Sequence, residues 1–239
     1  MVIFTVAPFA LKFYSIPIEE FSFMDASVAD LIEEFFSQYH VRKYSKGQIL
    51  IFNGDGGDIV YNIVSGRVKQ YDVTYRGDEV ILNVYKPPAF FPMSLAINHG
   101  ENVYIYEAET DIEVRLAPAS KVVAFLKANP TVMFDLLGRL YRGVDGMLGR
   151  MAYLMGGSAK GRLMYELLIA CRRFGEKNLN NGYALMMHEA DLGARAGLSR
   201  ETVSREMKKL VNENLVTLSK GEIVIKDVAA FEVKLGQVF

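Results

Sequence analysis

Seven apolar residues, Met133, Leu137, Leu140, Val144, Met147, Met151 and Leu154, recur at spacings that alternate between four and three. This is a run of three heptads with an a/d seam, and it restricts the fold more than any other feature of the chain. It calls for one long helix. Pro130 suits the first turn of such a helix, because its missing N–H is not needed there. Gly156-Gly157 ends it. A strict 3.5-residue repeat is what a supercoiled partner helix demands, so the spacing predicts a parallel two-chain seam. The alternative is a long helix packed on its own domain. Gly138, Gly143, Gly146 and Gly149 sit inside the run, each lowering helix stability by about 1 kcal/mol relative to alanine.

The helix divides the chain into unlike parts. With 239 residues, at roughly 150 per domain, two domains are expected. Residues 40–128 read as short strands: Ile49–Phe52, Ile59–Val64, Val80–Tyr85 and Val103–Tyr106 alternate with glycine-rich turns. That rhythm favours a jelly roll or small barrel over a parallel sheet. Before it, Ala26–Tyr39 reads as a helix capped by Asp25, burying Val28, Leu31, Ile32 and Phe35. Hydrophobic residues make up 51% of the chain, enough for a packed core, which excludes a disordered chain. The apolar N-terminal stretch Met1–Phe13 is too short to span a bilayer and is interrupted by Lys12, so a soluble cytoplasmic protein with no membrane partner is expected.

Chemistry that needs a metal or a nucleophile has little support. A single cysteine, Cys171, excludes a disulfide framework, a four-thiolate iron–sulfur cluster and a cysteine zinc cage. His40, His99 and His188 form no metal-binding pair. No glycine-rich phosphate loop, G-x-S-x-G elbow or paired-carboxylate motif stands out, so an enzyme is not expected.

Charge points elsewhere. Residues 1–156 carry 14 Lys/Arg against 18 Asp/Glu, whereas residues 157–239 carry 13 against 10. The C-terminal third is thereby tilted toward a polyanionic partner. Within it, after a short helix over Ala159–Arg173, the segment from His188 to Leu210 reads as helix, tight turn at Gly197, then helix. Ser199 is the N-cap of the second helix, and Glu201 in its first turn complements the helix dipole. At about 100° per residue, Arg200, Glu201, Ser204, Arg205 and Lys208 share one polar arc, and Val203, Met207 and Leu210 face away. That apolar stripe can pack on Leu192 and Ala196. An outward Arg–Glu–Arg arc suits the major groove of double-stranded DNA, where Arg reads guanine and Glu accepts from cytosine; a plain solvated helix face is the alternative. Leu215–Leu218 and Glu222–Lys226 then form a β wing whose tip residue, Lys220, is placed to meet a phosphate.

Gly197-Leu-Ser-Arg-Glu-Thr-Val-Ser-Arg205, with Lys46-Gly-Gln-Ile-Leu-Ile-Phe-Asn-Gly54 and Ile63-Val-Ser-Gly-Arg67, resembles the family of the cyclic-AMP receptor protein and the fumarate–nitrate reduction regulator. The resemblance extends over nearly the whole chain from about residue 25. It implies an α+β fold: an N-terminal segment and β-roll sensor domain over 1–129, of the jelly-roll, cyclic-nucleotide-binding-like kind; a long dimerisation helix over 130–156; and a C-terminal winged helix-turn-helix over 157–239. By the same resemblance Arg200, Glu201 and Arg205 contact base edges, and Ser199 and Thr202 contact phosphates. Ser204 and Lys208, on the same arc, are added as phosphate contacts. A two-fold symmetric operator with TGTGA-like half-sites, a homodimer and RNA polymerase as a further candidate partner are implied with it.

The sensor region departs from that family. Its cyclic-nucleotide members carry an F-G-E-L cassette and, about ten residues later, an Arg beside a Ser or Thr. Here Pro92, Met93 and Asn102 stand where the Gly, the ribose-binding Glu and the phosphate-binding Arg are expected. A phosphodiester without its Arg forfeits charge-assisted hydrogen bonds, which argues against cyclic AMP. No cofactor is expected, although a haem route through His40 or His99 stays open. The aromatic-rich roll reads as core that could also hold an apolar effector, with Phe90, Phe91, Met93, Asn102 and Tyr104 as the candidate pocket. Three functions follow: a dimeric DNA-binding regulator with an effector other than cyclic AMP, an effector-independent DNA binder, or a nucleotide-sensing or protein-interaction module with a purely structural helix-turn-helix.

Overall fold

The computed structural model describes residues 26–75, 77–177, 182–219 and 221–238. The cap Asp25, the segment Met1–Phe13 and the wing-tip Lys220 lie outside these residues. Those described fall into two compact units, one ending at Arg142 and one beginning at Gly143.

The first unit opens with α1 (Ala26–Ser37) and continues with strands β1 (Val41–Tyr44), β2 (Ile49–Ile51), β3 (Ile59–Ser65), β4 (Val68–Val73), β5 (Glu79–Tyr85) and β6 (Phe90–Phe91). A short helix α2 (Met93–Asn98) leads to β7 (Ile105–Ala108), β8 (Ile112–Pro118) and helix α3 (Ala119–Ala128). The strands form two antiparallel sheets, ordered β1-β8-β3-β6 and β2-β7-β4-β5, which is the jelly-roll arrangement that short strands and frequent turns favour. Gly66, between β3 and β4, has φ of +82°, and a Cβ there would lie 2.3 Å from the carbonyl of Asp111. No other residue fits that turn.

Two apolar clusters fill the unit. Inside the roll, Leu50, Ile63, Val68, Phe91, Tyr106 and Val114 are buried. Beside it, Val28, Ile32 and Phe36 of α1 pack with Phe90, Val122, Leu126 and Val132. Two sequence readings shift here. Phe36 is fully buried, whereas Phe35 and Leu31 are only partly so, because Phe35 lies stacked 4.2 Å from the ring of Phe125 instead of entering the core. The strand expected from Val103 begins only at Ile105, and Val103 is exposed. The reason is Asn102, whose amide N–H groups donate to the carbonyls of Phe52 and Tyr104 and whose Oδ1 accepts from the Tyr104 N–H, which holds residues 102–104 in a loop.

Helix α4 (Pro130–Gly156) spans 27 residues and runs on through its four glycines. An added Cβ at Gly143 or Gly146 would meet nothing within 4 Å.

The second unit continues with α5 (Ala159–Phe174), β9 (Glu176–Lys177), β10 (Tyr183–Met186), α6 (Glu189–Ala196), α7 (Arg200–Asn212), β11 (Val216–Ser219), β12 (Glu222–Ile225) and α8 (Val228–Gln237). Its sheet has the order β11-β12-β10-β9, all antiparallel. Leu163 and Leu167 of α5, Leu192 of α6, Val203, Met207 and Leu210 of α7, Ile223 of β12 and Phe231 of α8 make one buried core. The end of α4 joins this unit. Tyr153 stacks 4.6 Å from Tyr165, Tyr165 Oη donates to the carbonyl of Gly146, and Arg150 Nη2 donates to Glu166 Oε2 at 2.9 Å.

Candidate nucleic-acid interface

The turn between α6 and α7 places the reading face. Gly197 takes φ of +61°, a left-handed conformation that closes α6 without Cβ strain, and Leu198 N–H donates to the carbonyl of Gly193. A Cβ at Gly193 would sit 3.0 Å from the carbonyl of Leu198 in the turn and 3.3 Å from Cγ2 of Val203 on α7, so the glycine lets α6 lie close against the turn and α7. Ser199 Oγ then caps α7 by accepting from the Thr202 N–H at 3.3 Å. The Thr202 hydroxyl lies 3.2 Å from the same oxygen.

On α7 the two faces separate as the 100° mapping requires. Val203, Met207 and Leu210 are fully buried, with Leu192 and Ala196 of α6 buried opposite them. Arg200, Glu201, Arg205 and Lys208 are exposed, and Thr202 and Ser204 are half-buried at the rim. The backbone N–H of Glu201 and the Ser199 hydroxyl hold the Glu201 carboxyl below the usual carboxylate range. It is therefore an ionised acceptor at neutral pH. Lys208 also borders an open groove of about 300 Å³ with Val211, Asn212, Thr217 and Leu218, between α7 and the wing. Glu206 is a residue that the sequence reading did not single out. Its carboxylate is buried beneath the face and accepts from Arg205 and Lys209. The only signal in the sequence was an acidic residue at the border of the arc.

The seam residues of α4 divide. Met133 packs against the helical cluster of its own unit. The other six, Leu137, Leu140, Val144, Met147, Met151 and Leu154, are exposed in the single chain, Leu140 by 60% and Met147 by 59%. Phe134, Tyr141, Leu148 and Met155, at seven-residue spacing beside them, are exposed too.

The five candidate pocket residues are divided between packing environments. Phe90 and Met93 belong to the helical cluster, whereas Phe91 and Tyr104 belong to the roll interior. Phe91 stacks there with Tyr85 at 4.9 Å, Tyr106 at 5.3 Å and Tyr61 at 5.7 Å. Asn102 is 2% exposed, and its amide N–H groups are committed to the carbonyls of Phe52 and Tyr104. It is a staple of its loop. His40 and His99 are both exposed, and among the described residues no group of three His, Cys, Asp or Glu side chains could hold a metal. None of the described helices is long and apolar enough to cross a membrane.

Comparison with known proteins agrees with this architecture. The family model described as "Cyclic nucleotide-binding domain" matches residues 41–129, and that described as "Crp-like helix-turn-helix domain" matches residues 161–233. The chain is 28% identical over 196 residues to the cyclic AMP receptor protein of Thermus thermophilus, covering 82% of this chain and 88% of that one. It is 26% identical over 198 residues to the cAMP-activated global transcriptional regulator CRP of Salmonella typhimurium, covering 81% and 93%. Its fold is similar to that of the c-di-GMP responsive global regulator CLP of Xanthomonas campestris, with a TM-score of 0.71, 18% identity and coverage of 82% and 98%. A CRP/FNR-family transcriptional regulator from Thermus thermophilus gives 0.68, 22%, and coverage of 83% and 98%. Both family models are matched in order along one chain, by relatives that span the two together, and the chain belongs to the CRP/FNR family of transcription regulators.

Proposed function

We propose that the chain acts as a homodimer that reads a two-fold symmetric operator with TGTGA-like half-sites, under an effector other than cyclic AMP. The observation that carries this reading is the outward arc of Arg200, Glu201 and Arg205 on a helix whose opposite side is wholly buried. Arginine pairs with O6 and N7 of guanine, and an ionised glutamate accepts from N4 of cytosine. Ser199, Thr202, Ser204 and Lys208 at the rim suit the phosphates on either side, with Lys220 added from its place in the wing sequence. The six exposed apolar residues of α4 supply the surface for a second copy. Contact with RNA polymerase belongs to the same reading and rests on the family alone.

The exclusion of cyclic AMP in this reading is supported by three positions of the roll. Relatives are named for activation by cyclic AMP, but here Pro92, Met93 and Asn102 offer its phosphate no cation, and the Asn102 amide is already committed. A second reading, DNA binding without any effector, is favoured by the stacking of Phe91 with Tyr61, Tyr85 and Tyr106, which gives these rings of the roll partners within the chain itself.

The test is selection of bound duplexes from a random pool, followed by affinity measurement for the selected operator. Arg200→Ala or Arg205→Ala should cost about 1–3 kcal/mol and relax preference at one base position, and added cyclic AMP should change neither value. An Arg200→Ala variant that binds as tightly as wild type would overturn the assignment.

A further inference from the structure

Glu206 follows Arg205 on α7 and is 4% exposed. By the helical period it falls at about 240°, between the polar arc and the apolar stripe. Its Oε1 accepts from Nε of Arg205 at 3.3 Å and from Nζ of Lys209 at 2.9 Å. Burial alone opposes its ionisation, and the bonds from Lys209 and Arg205 reverse that, so its pKa lies below the ordinary value. The contact to Arg205 is made through Nε. The two terminal nitrogens remain as a fork, the part of a guanidinium that meets O6 and N7 of guanine. A guanidinium already held at Nε loses less rotational freedom on docking than one swinging in solvent.

We propose that Glu206 is a positioning residue for base reading: it aims the Arg205 guanidinium at the base edge and so sets the guanine preference at that position without touching DNA. The proposal rests on the reading of α7 as the base-contacting helix. Lys209 shares the carboxylate oxygen and keeps it neutralised while the Arg205 fork is engaged with a base.

The experiment compares full-length wild type, Glu206→Met, Glu206→Gln, Arg205→Ala and the Arg205→Ala/Glu206→Met double variant. Each is measured for relative affinity to operators that differ at single base pairs, at several salt concentrations. Glu206→Met is expected to lower the guanine preference at the Arg205 position by about fivefold or more. Preferences elsewhere and the salt slope should stay unchanged, because no phosphate contact is lost. Glu206→Gln, which keeps an acceptor but no charge, should fall between Glu206→Met and wild type. In the Arg205→Ala background Glu206→Met should change nothing further. A uniform loss of affinity for every sequence, or an unchanged guanine preference in both single variants, would make Glu206 a packing residue and overturn the proposal. An Arg205→Ala variant with the full wild-type preference would overturn the base-reading assignment itself, and the proposal with it.

Discussion

Burial pushes the Cys171 thiol up to about 12, so at neutral pH almost none of it is the nucleophilic thiolate. The side chain is wholly enclosed in the core of the second unit. A thiol reagent at pH 8 should therefore modify Cys171 only as fast as that core opens, and added denaturant should accelerate the reaction. Rapid labelling of the native protein, counted by mass spectrometry, would contradict the packing. Other side chains differ in how far the sequence revealed them. The outward placement of Arg200, Glu201 and Arg205 was legible because a 100° period needs no knowledge of neighbours. Asn102 was not. It stood out as the place where a phosphate-binding arginine is missing, yet its function depends on the carbonyl of Phe52, fifty residues away. Glu206 was hidden for a related reason, since its burial is decided by tertiary packing.

At the scale of elements, α4 was the most legible part of the chain, from Pro130 to Gly156 as the heptads and the glycine pair required. Which of its faces meets a partner is a different matter, because Phe134, Tyr141, Leu148 and Met155 widen the apolar stripe beyond a and d. If the six exposed seam residues form the dimer contact, Leu140→Glu with Met147→Glu should give monomers in sedimentation and abolish operator binding. Two carboxylates at facing seam positions cannot both be buried unpaired. A double variant that stays dimeric would move the contact off this seam. The strands were legible as a rhythm but not at their ends. Leu215 reads like the start of the wing strand, yet β11 begins at Val216 and runs to Ser219. Ends of this kind are set by partners in the sheet, which local composition does not contain.

For the molecule as a whole, chain length led to the expectation of two domains, and the glycine turn and cap to that of the helix-turn-helix. That the two compact units divide inside α4, between Arg142 and Gly143, is set by tertiary contacts that the period of the sequence does not contain. The β-roll was legible as a fold but not as a binding site, because ring stacking inside it depends on how β3, β5, β6 and β7 are paired. Reading DNA as a dimer is the claim on which the rest depends, and it ties the arc on α7 to the seam on α4. Two half-sites engaged by one dimer count twice in the binding free energy, whereas independent heads count once. The most direct measurement is a fluorescence-anisotropy titration, at fixed salt, of the selected symmetric duplex and of the same duplex with one half-site scrambled. Scrambling should weaken binding by roughly a hundredfold or more, with one dimer bound per intact duplex. Equal affinity for the two duplexes would contradict the account.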